Sequence, residues 1–140
     1  MVVFRTTRRV EFGDTDMAGI VHFSNFFRFM EAAECAFLRS RGLSVKMDWE
    51  GQAISFPRVS ATCDYVSPAR FDDVLDVGVT IDRLGTKSVT YAFEFTRSAD
   101  VIARGKVTSV CCRIGADHRL EAVEIPEGYR ARLISESPAA

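Results

Sequence analysis

Histidine is nearly missing from this chain. There are two in 140 residues, His22 and His118, and they lie far apart. The four cysteines, Cys35, Cys63, Cys111 and Cys112, form no Cys-x-x-Cys pair. Together these absences remove any zinc-type spacing. An excess of charge of one sign is missing too. The formal net charge is −1, and nucleic-acid binding in general needs a basic footprint. No apolar run approaches the roughly 20 residues of a membrane span. The opening MVVFRTTRRV carries arginines and has no apolar core of signal-peptide length. No linker, repeat or low-complexity tract divides the chain, so residues 1–140 are expected to form one domain.

What is present is a core. Hydrophobic residues make up 47% of the chain and charged residues 26%, the balance of a globular protein and not of a disordered one. A domain of this size buries roughly two-thirds of the surface its unfolded chain exposes. Such a core needs no disulfide framework. Reduced, buried thiols in a cytoplasmic setting are the expectation.

The apolar pattern changes period along the chain. Val2–Phe12 is rich in β-branched residues and reads as a strand, and Gly13–Val21 reads as a loop. Phe23–Arg41 then reads as a helix. Phe26, Met30, Ala33 and Phe37 recur at helical spacing, as do Phe27, Met30, Glu34 and Leu38. Arg28, Glu31 and Arg39 mark a narrow wet edge, so most of the helix circumference is buried. Ser24 or Asn25 suits the N-cap, and Gly42 suits the stop.

Four β segments follow a variable stretch that ends at Gln52. They are Ala53–Val66, broken by Pro57, then Val74–Leu84, Lys87–Arg97 and Val101–Ile114. Turns at Ser67–Arg70, Gly85–Thr86 and Ser98–Asp100 separate them. Val77, Val79 and Ile81 share one strand face, and so do Val89, Tyr91, Phe93 and Phe95. The run IPEGYRARLI predicts a short C-terminal helix with Pro126 near its start. The order is thus β-α-β-β-β-β: an α+β fold with an antiparallel sheet wrapped around one long buried helix. One sheet on one helix leaves the outer face partly uncovered. Pairing between copies is the usual remedy, so a homo-oligomer is expected.

The stretch GDTDMAGIVHF, Gly13–Phe23, is where chemistry concentrates. The first N–H groups of a helix lack internal partners, and the dipole there is positive. A carbonyl oxygen placed at that end is polarised, and an oxyanion that forms there is stabilised. Gly19 lets the chain turn closely into the helix. Asp16, six residues before His22, can attack such a carbonyl or activate a water that does. Other readings compete. An Asp-x-Asp pair before a helix commonly serves turn chemistry or capping. It can also hold magnesium, although no nucleotide loop is nearby. His22 suits a packed, hydrogen-bonded residue as well as a base. Glu31 is an alternative carboxylate, with Glu31 and Glu34 otherwise edge or capping charges. Cys63 and Cys111 lack a partner set for a nucleophile.

The stretch FGDTDMAGIVHFSNFFRFMEAAE closely resembles the opening motif of hotdog-fold thioesterases, in particular the 4-hydroxybenzoyl-CoA thioesterase family, with the Tol–Pal-associated acyl-CoA thioesterases close by. The resemblance continues through Val59–Ile81, Lys87–Phe95 and Leu120–Tyr129, in the expected order. It implies a hotdog fold and hydrolysis of an acyl-CoA thioester. It implies Asp16 as the catalytic carboxylate and the Phe23 backbone N–H as the oxyanion donor. Gly19, Val21 and Asn25 join them as motif residues of the substrate site, with Asn25 structural or lining. His22 stands where family members often carry an aromatic residue, so it joins the catalytic candidates by position alone.

Family members bind coenzyme A across a subunit interface, with basic residues near the strand hairpin. That implies Arg83 and Lys87 here, with Arg70 weaker. No metal and no separate cofactor is implied, since coenzyme A belongs to the substrate. A dimer at least, and a tetramer beyond it, is implied. Met17, Phe26, Phe27 and Phe56 are candidate acyl-group contacts. Two other functions stay open at this point. One is an acyl-CoA hydratase or dehydratase on the same fold, which would use an Asp–His pair in a Gly-Asp-x-Asn-Pro-x-His motif. The other is a non-catalytic acyl-thioester binding module.

Overall fold

In the main sheet the apolar residues alternate, and they alternate because one face is pressed on a helix. The computed structural model describes residues 3–136. Strand β1 (Phe4–Arg9) leads through a short 3-10 turn into the loop and helix α1 (Asn25–Ser40). Then come β2 (Lys46–Trp49), β3 (Gln52–Ser55), β4 (Arg58–Tyr65), β5 (Val74–Leu84), β6 (Ser88–Arg97) and β7 (Asp100–Val110). Strands β8 (Cys112–Ile114) and β9 (Leu120–Ala122) precede helix α2 (Glu127–Leu133).

The main sheet is antiparallel, in the order β1-β5-β6-β7-β4. Along the chain its elements run β1, α1, β4, β5, β6, β7, so the expected β-α-β-β-β-β order holds for this sheet. Phe26, Phe29, Met30, Ala33, Phe37 and Leu38 of α1 are buried. They meet Leu75, Val77 and Val79 of β5 and Val89, Tyr91, Phe93 and Phe95 of β6. Arg28, Glu31 and Arg39 stay exposed, as a single wet edge requires. Helix and sheet approach closely at Gly105 of β7. A Cβ there would collide with the Met30 sulfur and stand 2.8 Å from the Thr62 carbonyl oxygen. This is the hotdog arrangement.

Several boundaries differ from expectation, each for a local reason. Helix α1 begins at Asn25, so Phe23 and Ser24 lie just before it. Its end is a Schellman turn: Gly42, at φ 70°, donates to the Arg39 carbonyl at 3.0 Å, and Leu43 to the Leu38 carbonyl at 2.8 Å. Val2 of the expected first strand lies outside the described residues. Phe12 has left that strand and stands exposed in the 3-10 turn.

Ala53–Val66 is not one strand. Pro57 separates β3 from β4, which belong to different sheets. The segment Val101–Ile114 splits likewise between β7 and β8. The second sheet, β2-β3-β8-β9, was not legible, because its strands have three or four residues each. The β6–β7 turn holds Ser98 and Ala99 at φ 54° and 85°, a conformation glycine usually fills. All four cysteines are free, and Cys111 and Cys112 are buried. Among the described residues no helix is long and apolar enough to cross a membrane.

Candidate active site

The loop before α1 is built by its own backbone. Asp14 serves structure: its carboxylate accepts the Glu11 N–H at 2.8 Å, and its carbonyl accepts the Asn25 side-chain amide at 2.8 Å and the His22 N–H at 2.9 Å. Thr15 and Val21 form a bridge. Within it, the Asp16 N–H donates to the Ile20 carbonyl and the Gly19 N–H to the Asp16 carbonyl, both at 2.9 Å. Gly19 sits at φ 78°, which explains glycine there. One Asp16 carboxylate oxygen accepts the Ala18 N–H at 2.8 Å, an Asx turn that fixes the side chain.

The loop then docks on a second turn, because Val21 N–H donates to the Ala69 carbonyl at 2.8 Å. Asp73 holds that turn. Its carboxylate accepts the Arg70 N–H at 2.8 Å and the Arg97 guanidinium at 2.7 Å. The Arg70 N–H first, and then Arg97, keep the Asp73 carboxyl below its ordinary range, against its partial desolvation.

Between the two turns lies a cleft of about 500 Å³. Asp16, Ile20, Val21, Phe23 and Phe26 form one wall, and Tyr65 to Ala69 the other. Tyr65 closes one side, donating its hydroxyl to the Phe23 carbonyl at 2.9 Å. The Phe23 N–H makes no hydrogen bond among the described residues. The Val21 N–H is already engaged, so it offers no oxyanion contact.

The structure brings Asp16, Val21 and Phe23 to the cleft. It leaves others outside. His22 does not line it. The His22 ring stacks on Phe23 with centroids 4.6 Å apart, and Nδ1 meets the Ser24 hydroxyl at 2.8 Å and accepts the Ser24 N–H at 3.3 Å. His22 thus supplies the capping contact at the helix entry that the Ser24 side chain does not. Asn25 ties the loop to the helix and does not line the cleft. Of the expected acyl contacts only Phe26 lines it. Met17 is fully exposed, and Phe56 is buried elsewhere, stacked on Tyr129 at 4.8 Å. Arg83 and Lys87 lie at the far end of β5, whose 11 residues span roughly 36 Å. Within one chain they do not meet Asp16.

Two features escaped sequence reading. Tyr65 lies 42 residues from Phe23, and no spacing rule joins them. Glu34 is no edge charge: it is 1% exposed, and Arg58 donates to it at 2.7 Å. Burial pushes the Glu34 carboxyl up, and Arg58 pulls it part of the way back. Among the described residues no group of side chains is arranged to hold a metal ion.

This fold and this loop-helix cleft define a thioester hydrolase of hotdog architecture. The family model described as the thioesterase-like superfamily matches residues 10–133, and the chain belongs to that superfamily. It is 30% identical over 132 residues to the 4-hydroxybenzoyl-CoA thioesterase of Pseudomonas sp. (strain CBS-3), covering 87% of this chain and 91% of that protein. It is 34% identical over 107 residues to a putative esterase of Aquifex aeolicus (strain VF5), covering 76% and 81%. The crystal structure of a 1,4-dihydroxy-2-naphthoyl-CoA thioesterase from Synechocystis is similar in fold, with a TM-score of 0.81 and 26% identity. That match covers 94% of this chain and 96% of the other.

Proposed function

We propose that this chain hydrolyses an acyl-CoA thioester to the free acid and coenzyme A, with Asp16 as the reacting carboxylate. The observation that carries the reading is the pairing of an immobilised carboxylate with a free helix-entry N–H in one cleft. The Phe23 N–H has no competing acceptor among the described residues, so a thioester carbonyl oxygen can take it. As the tetrahedral oxyanion develops, that N–H and the helix dipole stabilise it, and one such donor supplies a few kcal/mol. Asp16 then acts in one of two ways. Its free oxygen attacks the carbonyl carbon, expels the thiolate and leaves a mixed anhydride for water to open. Otherwise it takes a proton from the water that attacks. The coenzyme A thiolate leaves readily, so no strong general acid is required. Neither route draws on a bound cofactor.

The Asp–His alternative, hydration of an enoyl-CoA, loses support from His22, which lies outside the cleft and is engaged by Ser24. A purely binding role would hold acyl-CoA without releasing free thiol, and an assay for free thiol separates the two.

The working unit we propose is a dimer. Strand β4 is an edge, paired only to β7, and nearly every residue along it is exposed. Val59, Tyr65 and Val66 present large apolar surface there. A second copy added along β4 would satisfy the open edge and wall the cleft. Arg83 and Lys87 of one copy are then candidates for the coenzyme A phosphates at the other copy's Asp16. A tetramer, in a cytoplasmic setting, is the larger assembly we expect.

The test is direct. Asp16→Asn and Asp16→Ala should lower turnover of a good acyl-CoA substrate at least about 10²-fold, the scale of losing a positioned catalytic group. Near-normal hydrolysis by both would refute the assignment. In a single turnover in labelled water, label in Asp16 marks the anhydride route. A panel of aliphatic, aromatic and hydroxylated acyl-CoA esters assigns the acyl group, with free thiol followed for each.

A further inference from the structure

A second cavity lies away from the cleft, where the C-terminal end of α1, the far end of β5 and the end of α2 meet. It measures about 390 Å³. The 16 residues of α1 put roughly 24 Å between its two ends, so this cavity is separate from Asp16. Its walls are mostly apolar, with Phe37, Ile81, Leu84, Leu133 and Ile134 among them.

One wall is charged. Arg41 is 6% exposed and has no ion-pair partner among the described residues. Its Nε is buried and makes no hydrogen bond. Its guanidinium lies over the Phe37 ring at 5.0 Å and touches only the Ser40 hydroxyl, at 3.5 Å. The carbonyls at the helix end do not serve it. The Leu38 carbonyl takes the N–H groups of Arg41 and Leu43, the Arg39 carbonyl that of Gly42, and the Phe37 carbonyl the Ser40 hydroxyl. Two acids line the same cavity, yet neither pairs with Arg41. Asp82 is engaged by Lys106 at 3.1 Å, and Glu136 is exposed. Arg83 lines the cavity as well.

Buried guanidinium groups are ordinarily paired, because desolvating the charge is costly. Here an unpaired one borders an apolar hollow whose volume falls within the range of small-molecule sites. We propose that this cavity binds a monocarboxylate with an apolar body, the Arg41 guanidinium taking the carboxylate and the apolar walls the body. Planar guanidinium matches carboxylate in a bidentate fork. A phosphate ester would instead require a wetter site with several free cations.

Calorimetric titration of the full chain with octanoate and with benzoate, each against its uncharged amide, tests the proposal. The two acids separate an aliphatic from an aromatic body. At least one acid should bind one per chain, at least about tenfold more tightly than its amide, as loss of a charge-assisted bond implies. Arg41→Met should weaken the acid at least about tenfold on the same ground. Ile134→Asp, at an exposed rim position, should do so by like-charge repulsion, and it carries the test if Arg41→Met fails to fold. Asp16→Asn should bind the acid as the parent does, so the result stands apart from the assignment of the cleft. The proposal is overturned if the amides bind as well as the acids, or if neither acid binds up to millimolar concentration. It is also overturned if the folded variants at Arg41 and Ile134 bind unchanged, or if coenzyme A alone displaces the acid one for one.

Discussion

The hydroxyl of Tyr65 on edge strand β4 donates to the carbonyl of Phe23 at the entry to α1, at 2.9 Å. It is a long-range tie to a cleft residue whose own N–H makes no hydrogen bond among the described residues. The ring reinforces it, lying edge-on to Phe26 with centroids 5.6 Å apart. In the mechanism proposed above, Tyr65 would act as a positioning residue, orienting Phe23 without a part in proton transfer. Tyr65→Phe keeps the ring and removes the tie. We expect kcat for a good acyl-CoA to fall several-fold with KM little changed, and stability to fall by about 1 kcal/mol, the usual net worth of one hydrogen bond. A kcat equal to that of the parent, measured beside its thermal midpoint, would remove Tyr65 from the positioning role.

The Glu34–Arg58 pair links α1 to the first residue of β4. The Glu34 carboxyl is raised, chiefly by burial. A raised carboxyl binds its proton more tightly folded than unfolded. Its contribution to stability is therefore full below the unfolded value and lost as pH rises through the folded one. Glu34→Gln keeps an acceptor without the charge. Its unfolding free energy should fall less steeply than that of the parent as pH rises from about 4 through the weakly acidic range. Denaturant titrations at a series of pH values read the difference. Parallel curves for the two proteins would contradict the sign.

At Gly105 the sheet lies against Met30 with no room for a methyl group. Gly105→Ala must displace either a buried side chain or the Thr62 backbone. Overpacking of this kind costs about 1–3 kcal/mol. The expected result is a lower denaturation midpoint with an unchanged m-value. Full stability would mean that β7 and β4 can separate freely at this point.

Burial pushes the Cys111 thiol up to about 11, with its neighbour Cys112 adding to the rise. Only thiolate reacts. At pH 8 a disulfide reagent should therefore leave Cys111 unmodified in the native protein and modify it on unfolding. Mass mapping after a short native exposure checks this. Rapid native labelling of Cys111 would show that the region around β8 opens readily.

Much of this molecule was written in local pattern. The 3.6-residue recurrence from Phe26 to Leu38 gave α1 its buried face, because a helix that keeps one edge in solvent repeats its apolar residues at that period. Alternation from Val89 to Phe95 gave β6 its inner face. The crowding of Asp14, Asp16 and Gly19 before the helix marked the loop, and Asp16 and Phe23 do share its cleft. Of the two aspartates in the pair, Asp14 is engaged by the loop itself, through the Glu11 N–H and the Asn25 side-chain amide.

What tertiary structure alone decided is everything that depends on distant segments meeting. Tyr65 reaches Phe23, Arg58 reaches Glu34, and Ala69 anchors Val21, all through sheet order and turn geometry that no local spacing encodes. The short strands of the second sheet have too few residues to show a period, and only their pairing makes them strands. His22 drew notice by rarity and position, yet backbone geometry turned it toward Ser24 and out of the cleft. Local sequence determines which face of an element is apolar, because that is set by its own repeat. Which side chains converge on a site is set by long-range packing, and only the folded chain fixes that.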